Sequence, residues 1–190
     1  MKKYIIFLFI LTIGSCTSPQ EEEIPIAYND VKDTLQKWNK INHAQEILDI
    51  EAYIKRHGWK NVQSTGSGLY YVIYKKVDTN QVKARPGLVA RINYTITLLN
   101  DTVCYSSEGK PDDFVIGMDN VESGLHEGIT YMRKGEKAKI LMTSNMAAGL
   151  VGDMDQIPPQ SSLIFDIELV DLIDPATKRT YVEPGKKTVK

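Results

Sequence analysis

From residue 66 onward, apolar and polar positions alternate with a period of two. Leu163, Phe165, Ile167 and Leu169 fall on one side of the stretch 162–172, and Asp166 and Glu168 on the other. That alternation predicts a half-buried strand. Over 88–99, Ala90, Ile92, Tyr94 and Ile96 share one face, with Arg91, Asn93, Thr95 and Thr97 opposite. Asn100-Asp101 predicts a hairpin leading into a return strand over 102–106. Further strands are predicted over 68–75, 114–116 and 136–143. A short helix over 121–131 carries Val121, Leu125 and Ile129, with Asp119 or Asn120 as its cap. Upstream the period is helical. Val31, Leu35 and Trp38, then Ile47, Ile50 and Ile54, predict a helical segment over 30–57, capped by Asn29 or Asp30 and stopped at Gly58. Its register falters around 39–42, which predicts a bend or a break into two helices. The fold class is therefore α+β: an antiparallel twisted sheet half-wrapped around one short helix, preceded by an amphipathic helical segment.

The ends of the chain read differently. Lys2 and Lys3 precede an apolar run over 4–13 that is too short to span a bilayer and fits an export signal. It ends in Gly14-Ser15-Cys16, which resembles the lipobox of bacterial lipoproteins. The resemblance implies cleavage before Cys16, lipid on its thiol and new amine, and a place in the bacterial cell envelope, on the periplasmic face or the outer-membrane surface. The expected domains are a signal peptide over 1–15, an acidic tether over 16–28 that holds Glu21-Glu22-Glu23, a helical segment over 29–65, a sheet domain over 66–173 and a tail over 174–190, loose after Pro184. The amphipathic segment over 30–57 packs on its own domain or on a second copy of the chain.

Composition narrows the partners. The net charge is −1 with no basic block, which argues against nucleic acid. Two cysteines, Cys16 and Cys104, cannot build a disulfide framework if Cys16 carries lipid. Cys104 reads as a small buried hydrophobe. His126-Glu127 begins like a zinc-protease helix, but Thr130 stands where the second ligand belongs. No metal set and no cofactor motif is apparent.

The order of motifs carries a second resemblance, over residues 66 to 173. A Tyr-Thr on the second strand is followed by a hydrophobic residue and Gly before the helix, Gly-x-x-Glu-Gly on the helix and Met-x-x-Gly-Glu after it. Ile-Pro-Pro then precedes Leu-x-Phe-x-x-Glu-Leu. In that order they resemble an FK506-binding-protein (FKBP) domain, the fold of a family of peptidyl-prolyl cis-trans isomerases. The lipobox and "YIKRHGW" also resemble the gliding-motility-associated isomerase lipoproteins of Bacteroidetes. The resemblance implies turnover of Xaa-Pro bonds in proline-containing peptides or proteins, with no cofactor. It places Tyr94, Phe114, Val121, Ile157 and Phe165 around the pocket, with the Glu122 backbone amide donating to ligand.

Departures from the family pattern concern the same pocket. Cys104-Tyr105 stands where an aromatic and an Asp are usual, Leu125 where Trp is usual, Ala148 where Tyr is usual, and Asp112 where another aromatic is frequent. Tyr105, Leu125 and Ala148 are thus expected as substrate-binding positions with altered chemistry, and Tyr94 is expected to lose its carboxylate partner. The resemblances imply two alternative functions. One is a lipid-anchored envelope isomerase acting on exported proteins. The other is an FKBP-like binding or chaperone module with little turnover, in a gliding or secretion assembly.

Overall fold

A computed structural model describes residues 28–182. The signal, Cys16, the acidic tether as far as residue 27 and the stretch after residue 182 lie outside the described residues.

The chain opens with helix α1 (Tyr28–Arg56), uninterrupted through 39–42. Its start at Tyr28 puts Asn29 and Asp30 in the first turn instead of the cap position. It ends as the glycine predicts. Gly58 adopts φ 63°, its N–H reaches the Lys55 carbonyl at 3.1 Å, and the Trp59 N–H reaches that of Ile54 at 3.1 Å. These bonds satisfy carbonyls that the helix itself leaves open.

The strands are β1 (Gln63–Ser64), β2 (Leu69–Lys75), β3 (Val89–Leu98), β4 (Val103–Ser106), β5 (Asp112–Val115), β6 (Lys137–Met142), β7 (Leu163–Asp174) and β8 (Arg179–Thr180). They form one antiparallel sheet in the order β1-β2-β6-β7-β3-β4, with β5 added to β3 and β8 to β7. Pairing therefore runs past both ends of the 66–173 span. β1 precedes it, and the first part of the expected tail turns back as β8, with the Tyr181 N–H on the Leu172 carbonyl at 2.6 Å. Two-residue strands carry too few positions to show alternation.

Strand β3 explains where the site opens. One edge pairs with β7 along its whole length, slipping register between Arg91 and Ile92. Its other edge is shared: Val89–Ile92 pairs with β5, and 95–97 with β4. Tyr94 lies at the division between the two partners, where its own N–H and carbonyl bond to Ser107 at 3.0 Å each.

Each face of the sheet has its own core. On one face Ile92, Ile140, Phe165 and Ile167 pack with the short helix α2 (Ser123–Ile129) through Leu125 and Ile129. A Cβ on Gly128 would stand 2.6 Å from Ile140 Cδ1 and one on Gly124 2.5 Å from Met142 Sδ. The two glycines, a turn apart, let the helix lie directly on β6. On the opposite face Ile50 and Tyr53 of α1 pack against Tyr70, Leu141 and Ile164. Tyr53 also donates to the Asp101 carboxylate at 2.6 Å, tying α1 to the β3–β4 hairpin. So α1 packs on its own domain along its C-terminal half, while Val31, Leu35, Trp38 and Ile41 remain 40–59% exposed.

Helix α2 starts at Ser123, two residues later than the apolar spacing suggests. Asp119 does not cap it. Its carboxylate accepts the Val115 N–H at 2.7 Å and so closes the turn after β5. The His126 ring then holds that turn to the helix: Nδ1 accepts the Gly117 N–H at 2.8 Å, and Nε2 lies 2.9 Å from the Asp119 carbonyl. This is a structural role for the histidine that resembles half of a zinc motif, and among the described residues no group of three or more His, Cys, Asp or Glu could hold a metal.

Candidate active site

A cavity of about 820 Å³ opens between α2, the edge of β3 and the segment after β6. This is within the roughly 300–1,000 Å³ usual for ligand clefts. Its apolar surface comes from distant parts of the chain: Tyr94 on β3, Phe114 on β5, Val121 ahead of α2, Leu125 on α2 and Phe165 on β7. Phe114, Leu125 and Phe165 are 2–6% exposed and form the floor, whereas Tyr94 and Val121 are half-buried. Glu122, Tyr105 and Ala148 line the cavity as well. Glu122 is the residue before the first turn of α2, and its N–H has no protein acceptor among the described residues. It is one of the donors that a helix start leaves free.

Ile157 is placed differently. It is 4% exposed, belongs to the sheet core and does not line the cavity. The reason lies in the loop. Asp153 Oδ1 accepts the N–H of Asp155 at 2.9 Å and that of Ile157 at 2.8 Å, and the Asp153 N–H returns to the Ile157 carbonyl at 3.2 Å. Gly152, at φ +70°, makes this closure possible, because a Cβ there would come within 2.1 Å of the Ile157 carbonyl oxygen. Pro158 and Pro159 leave the loop on its exposed side with their backbone freedom already restricted. The Tyr105 hydroxyl bonds the Asp153 carboxylate and pins the loop to β4. Through that bond Asp153 is held below the usual carboxylate range, and Tyr105 is pushed up to about 12.

Tyr94 shares the cavity wall with one carboxylate, Asp112, that acts on its phenol. Burial and then the Asp112 carboxylate raise its phenol above the ordinary value, with the Glu122 charge adding to the effect. The hydroxyl is thus a proton donor across the physiological range. Asp112 and Asp153 are the lining residues whose roles the residue pattern did not indicate. Both are exposed acids, Asp112 at the start of β5 and Asp153 in a loop, where a charge ordinarily signals only solvation. Cys104 is buried, and burial, reinforced by Asp153, raises its thiol. It behaves as packing.

Residues 80–170 match the profile described as FKBP-type peptidyl-prolyl cis-trans isomerase. The chain is 29% identical over 178 residues to the FKBP-type peptidyl-prolyl cis-trans isomerase FkpA of Buchnera aphidicola, covering 90% of this chain and 70% of that protein. It is 39% identical over 97 residues to FK506-binding protein 2 of Dictyostelium discoideum, covering 50% and 73%. Among solved structures it is similar to the crystal structure of FkpA from Escherichia coli, with a TM-score of 0.58, 25% identity and coverage of 78% and 74%. Fold, cleft and relatives agree, and the chain belongs to the FKBP-type peptidyl-prolyl cis-trans isomerase family.

Proposed function

We propose that this chain isomerises Xaa-Pro bonds of exported client proteins at the bacterial cell envelope, held there by lipid on Cys16. The observation that carries the catalytic part is the convergence of Tyr94, Phe114, Val121, Leu125 and Phe165 on one open cavity. Rotation about an Xaa-Pro bond is slow because it breaks amide resonance, at a cost of about 18–20 kcal/mol. No nucleophile or proton relay is needed. In the twisted amide the nitrogen has lost conjugation, and the carbonyl no longer draws on its lone pair. An apolar floor that accepts the pyrrolidine ring favours this less polar state over the planar one. Tyr94 Oη and the Glu122 N–H are donors at the wall, suited to holding carbonyls beside the proline so that only the Xaa-Pro torsion moves. Leu125 keeps the floor dry with a smaller side chain than Trp.

The test is NMR exchange spectroscopy on a proline peptide. Exchange well above background in the wild type, falling at least tenfold in Phe165→Ala and several-fold in Tyr94→Phe, supports the enzyme. Exchange no faster than background selects the second reading, a binding or chaperone module in an envelope assembly. The exposed apolar tips Leu150, Val151 and Met154, beside the cavity mouth, suit client contact under either reading.

The anchor is supported by the lipobox-like Gly14-Ser15-Cys16. Mass spectrometry of the native protein should find acyl chains on Cys16, and Cys16→Ser should release the protein from membranes. Pairing of two copies through residues 30–57 is supported by the exposed stripe Val31, Leu35, Trp38 and Ile41. Sedimentation equilibrium should show a dimer that Leu35→Glu dissociates, and a monomeric wild type would end this reading.

A further inference from the structure

The cavity is apolar at its floor and anionic at its rim. Asp112 and Glu122 border it from the β5–α2 side, and Asp153 from the loop after β6. Asp113 lines it too, but Arg91 holds that carboxylate in a two-pronged pair at 2.8 and 2.7 Å, which cancels its charge. Among the described residues no lysine, arginine or histidine lines the cavity. Asp112 and Glu122 have no ion-pair partner among the described residues. Asp153 stays ionised because the Tyr105 hydroxyl and backbone N–H groups bond to its charged form.

We propose that this rim selects prolines flanked by lysine or arginine and disfavours those flanked by aspartate or glutamate. The inference rests on the reading of the cleft as a proline site. The cleft does the binding, and the carboxylates decide which neighbours of the proline are tolerated. A ring seated on Phe114, Leu125 and Phe165 leaves the adjacent side chains at the mouth, where the carboxylates stand. A cationic side chain meets opposite charge there while its methylene stem covers apolar surface such as Leu150 and Val151. An acidic one meets like charge on two sides. Each exposed contact is modest, so the preference depends on several acting together. Their common field also steers encounter, and salt weakens it.

The experiment uses the full chain at pH 7 and three otherwise identical peptides in which both residues flanking one proline are Lys, Leu or Glu. NMR exchange gives kcat/KM for each after subtraction of the uncatalysed rate. The Lys peptide should exceed the Glu peptide roughly tenfold at low salt, and the ratio should shrink to about threefold or less near 1 M salt. The readout is this ratio within each protein, not the absolute rate. Glu122→Gln and Asp112→Asn should each lower it about two- to threefold. A wild-type ratio near one, or a ratio that neither substitution changes, overturns the proposal while leaving the isomerase reading intact. Should no peptide be accelerated, the isomerase reading falls, and amide-shift titration with the same peptides decides the charge preference. Tighter binding of the Lys peptide supports it, and equal or absent binding overturns it.

Discussion

Glu46 offers the sharpest test of how the N-terminal helix supports the cleft. It sits on α1, yet its carboxylate is bonded entirely to residues far along the chain. Oε1 accepts the Ser144 hydroxyl at 2.7 Å, and Oε2 accepts the Ser144 N–H at 2.5 Å and the Ser162 hydroxyl at 3.1 Å. Ser144 and Ser162 are 1% and 6% exposed. The Ser144 carbonyl in turn accepts the N–H groups of Ala147 at 3.0 Å and Gly149 at 2.8 Å, and those residues line the cavity. Glu46→Ala leaves three buried donors without their acceptor. A hydrogen bond to a charged group contributes about 1.5–3 kcal/mol. Glu46 is half-buried, and the two hydroxyls can turn to other acceptors, so the full sum is not reached. The expected loss is about 3 kcal/mol, and about 1–2 kcal/mol for Glu46→Gln, which keeps one acceptor oxygen.

Equilibrium urea unfolding followed by Trp fluorescence measures this directly, since Trp59 packs against the core under α1. With a slope of about 2 kcal/mol per molar, the midpoint of Glu46→Ala should fall by about 1.5 M with the slope unchanged. A cycle with Ser144→Ala isolates the hydroxyl bond and should show coupling of about 1 kcal/mol. A midpoint shift worth less than 1 kcal/mol, or strict additivity with Ser144→Ala, refutes the argument that these bonds join helix to cleft.

Gly152→Ala forces a Cβ against the Ile157 carbonyl and should lower kcat/KM on the order of tenfold or more through displacement of the loop; unchanged turnover would show that the loop does not shape the cleft. Gly128→Ala presses on Ile140 and should cost about 1–3 kcal/mol in thermal unfolding, whereas an unchanged melting temperature would contradict the close approach of α2 to β6. Burial pushes the Asp171 carboxyl up, but Lys134 at 2.7 Å, the Thr180 hydroxyl and the Leu172 N–H outweigh it and hold it below its ordinary value. Its stabilisation is therefore complete above about pH 4, the unfolded value, and is lost as pH falls through the lower folded one. Asp171→Asn should be less stable than wild type at pH 7, with the two urea midpoints converging below about pH 4; a gap constant down to pH 2 would refute this.

The sequence made the sheet legible where a strand has one wet and one dry face. Ala90, Ile92, Ile96, Phe165 and Ile167 are buried as their alternation predicts. Leu125 and Ile129 were legible by the same logic on a helix. Three things were not, because each depends on a bond that no periodicity records. The start of α2 moves because Asp119 binds back to Val115. Ile157 turns inward because Asp153 captures its N–H. The role of Glu46 comes from partners 98 and 116 residues away, joined only when α1 crosses the sheet.

Read position by position, Tyr105 and Asp112 look like two losses against the family pattern, a missing carboxylate and a missing aromatic. In three dimensions they are closer to an exchange. β4 and β5 divide one edge of β3 between them, and Tyr94 lies at the division, so a carboxylate arriving on either strand can serve it. Here the acid comes on β5 as Asp112, and the aromatic comes on β4 as Tyr105, where its hydroxyl finds Asp153 and fixes the loop. Such an exchange preserves a polarised donor over an apolar floor, the feature that rotation of a prolyl amide needs. On the readings proposed above, activity is separated from selectivity: the floor residues govern whether a proline is turned over, and the rim acids govern which neighbours it brings.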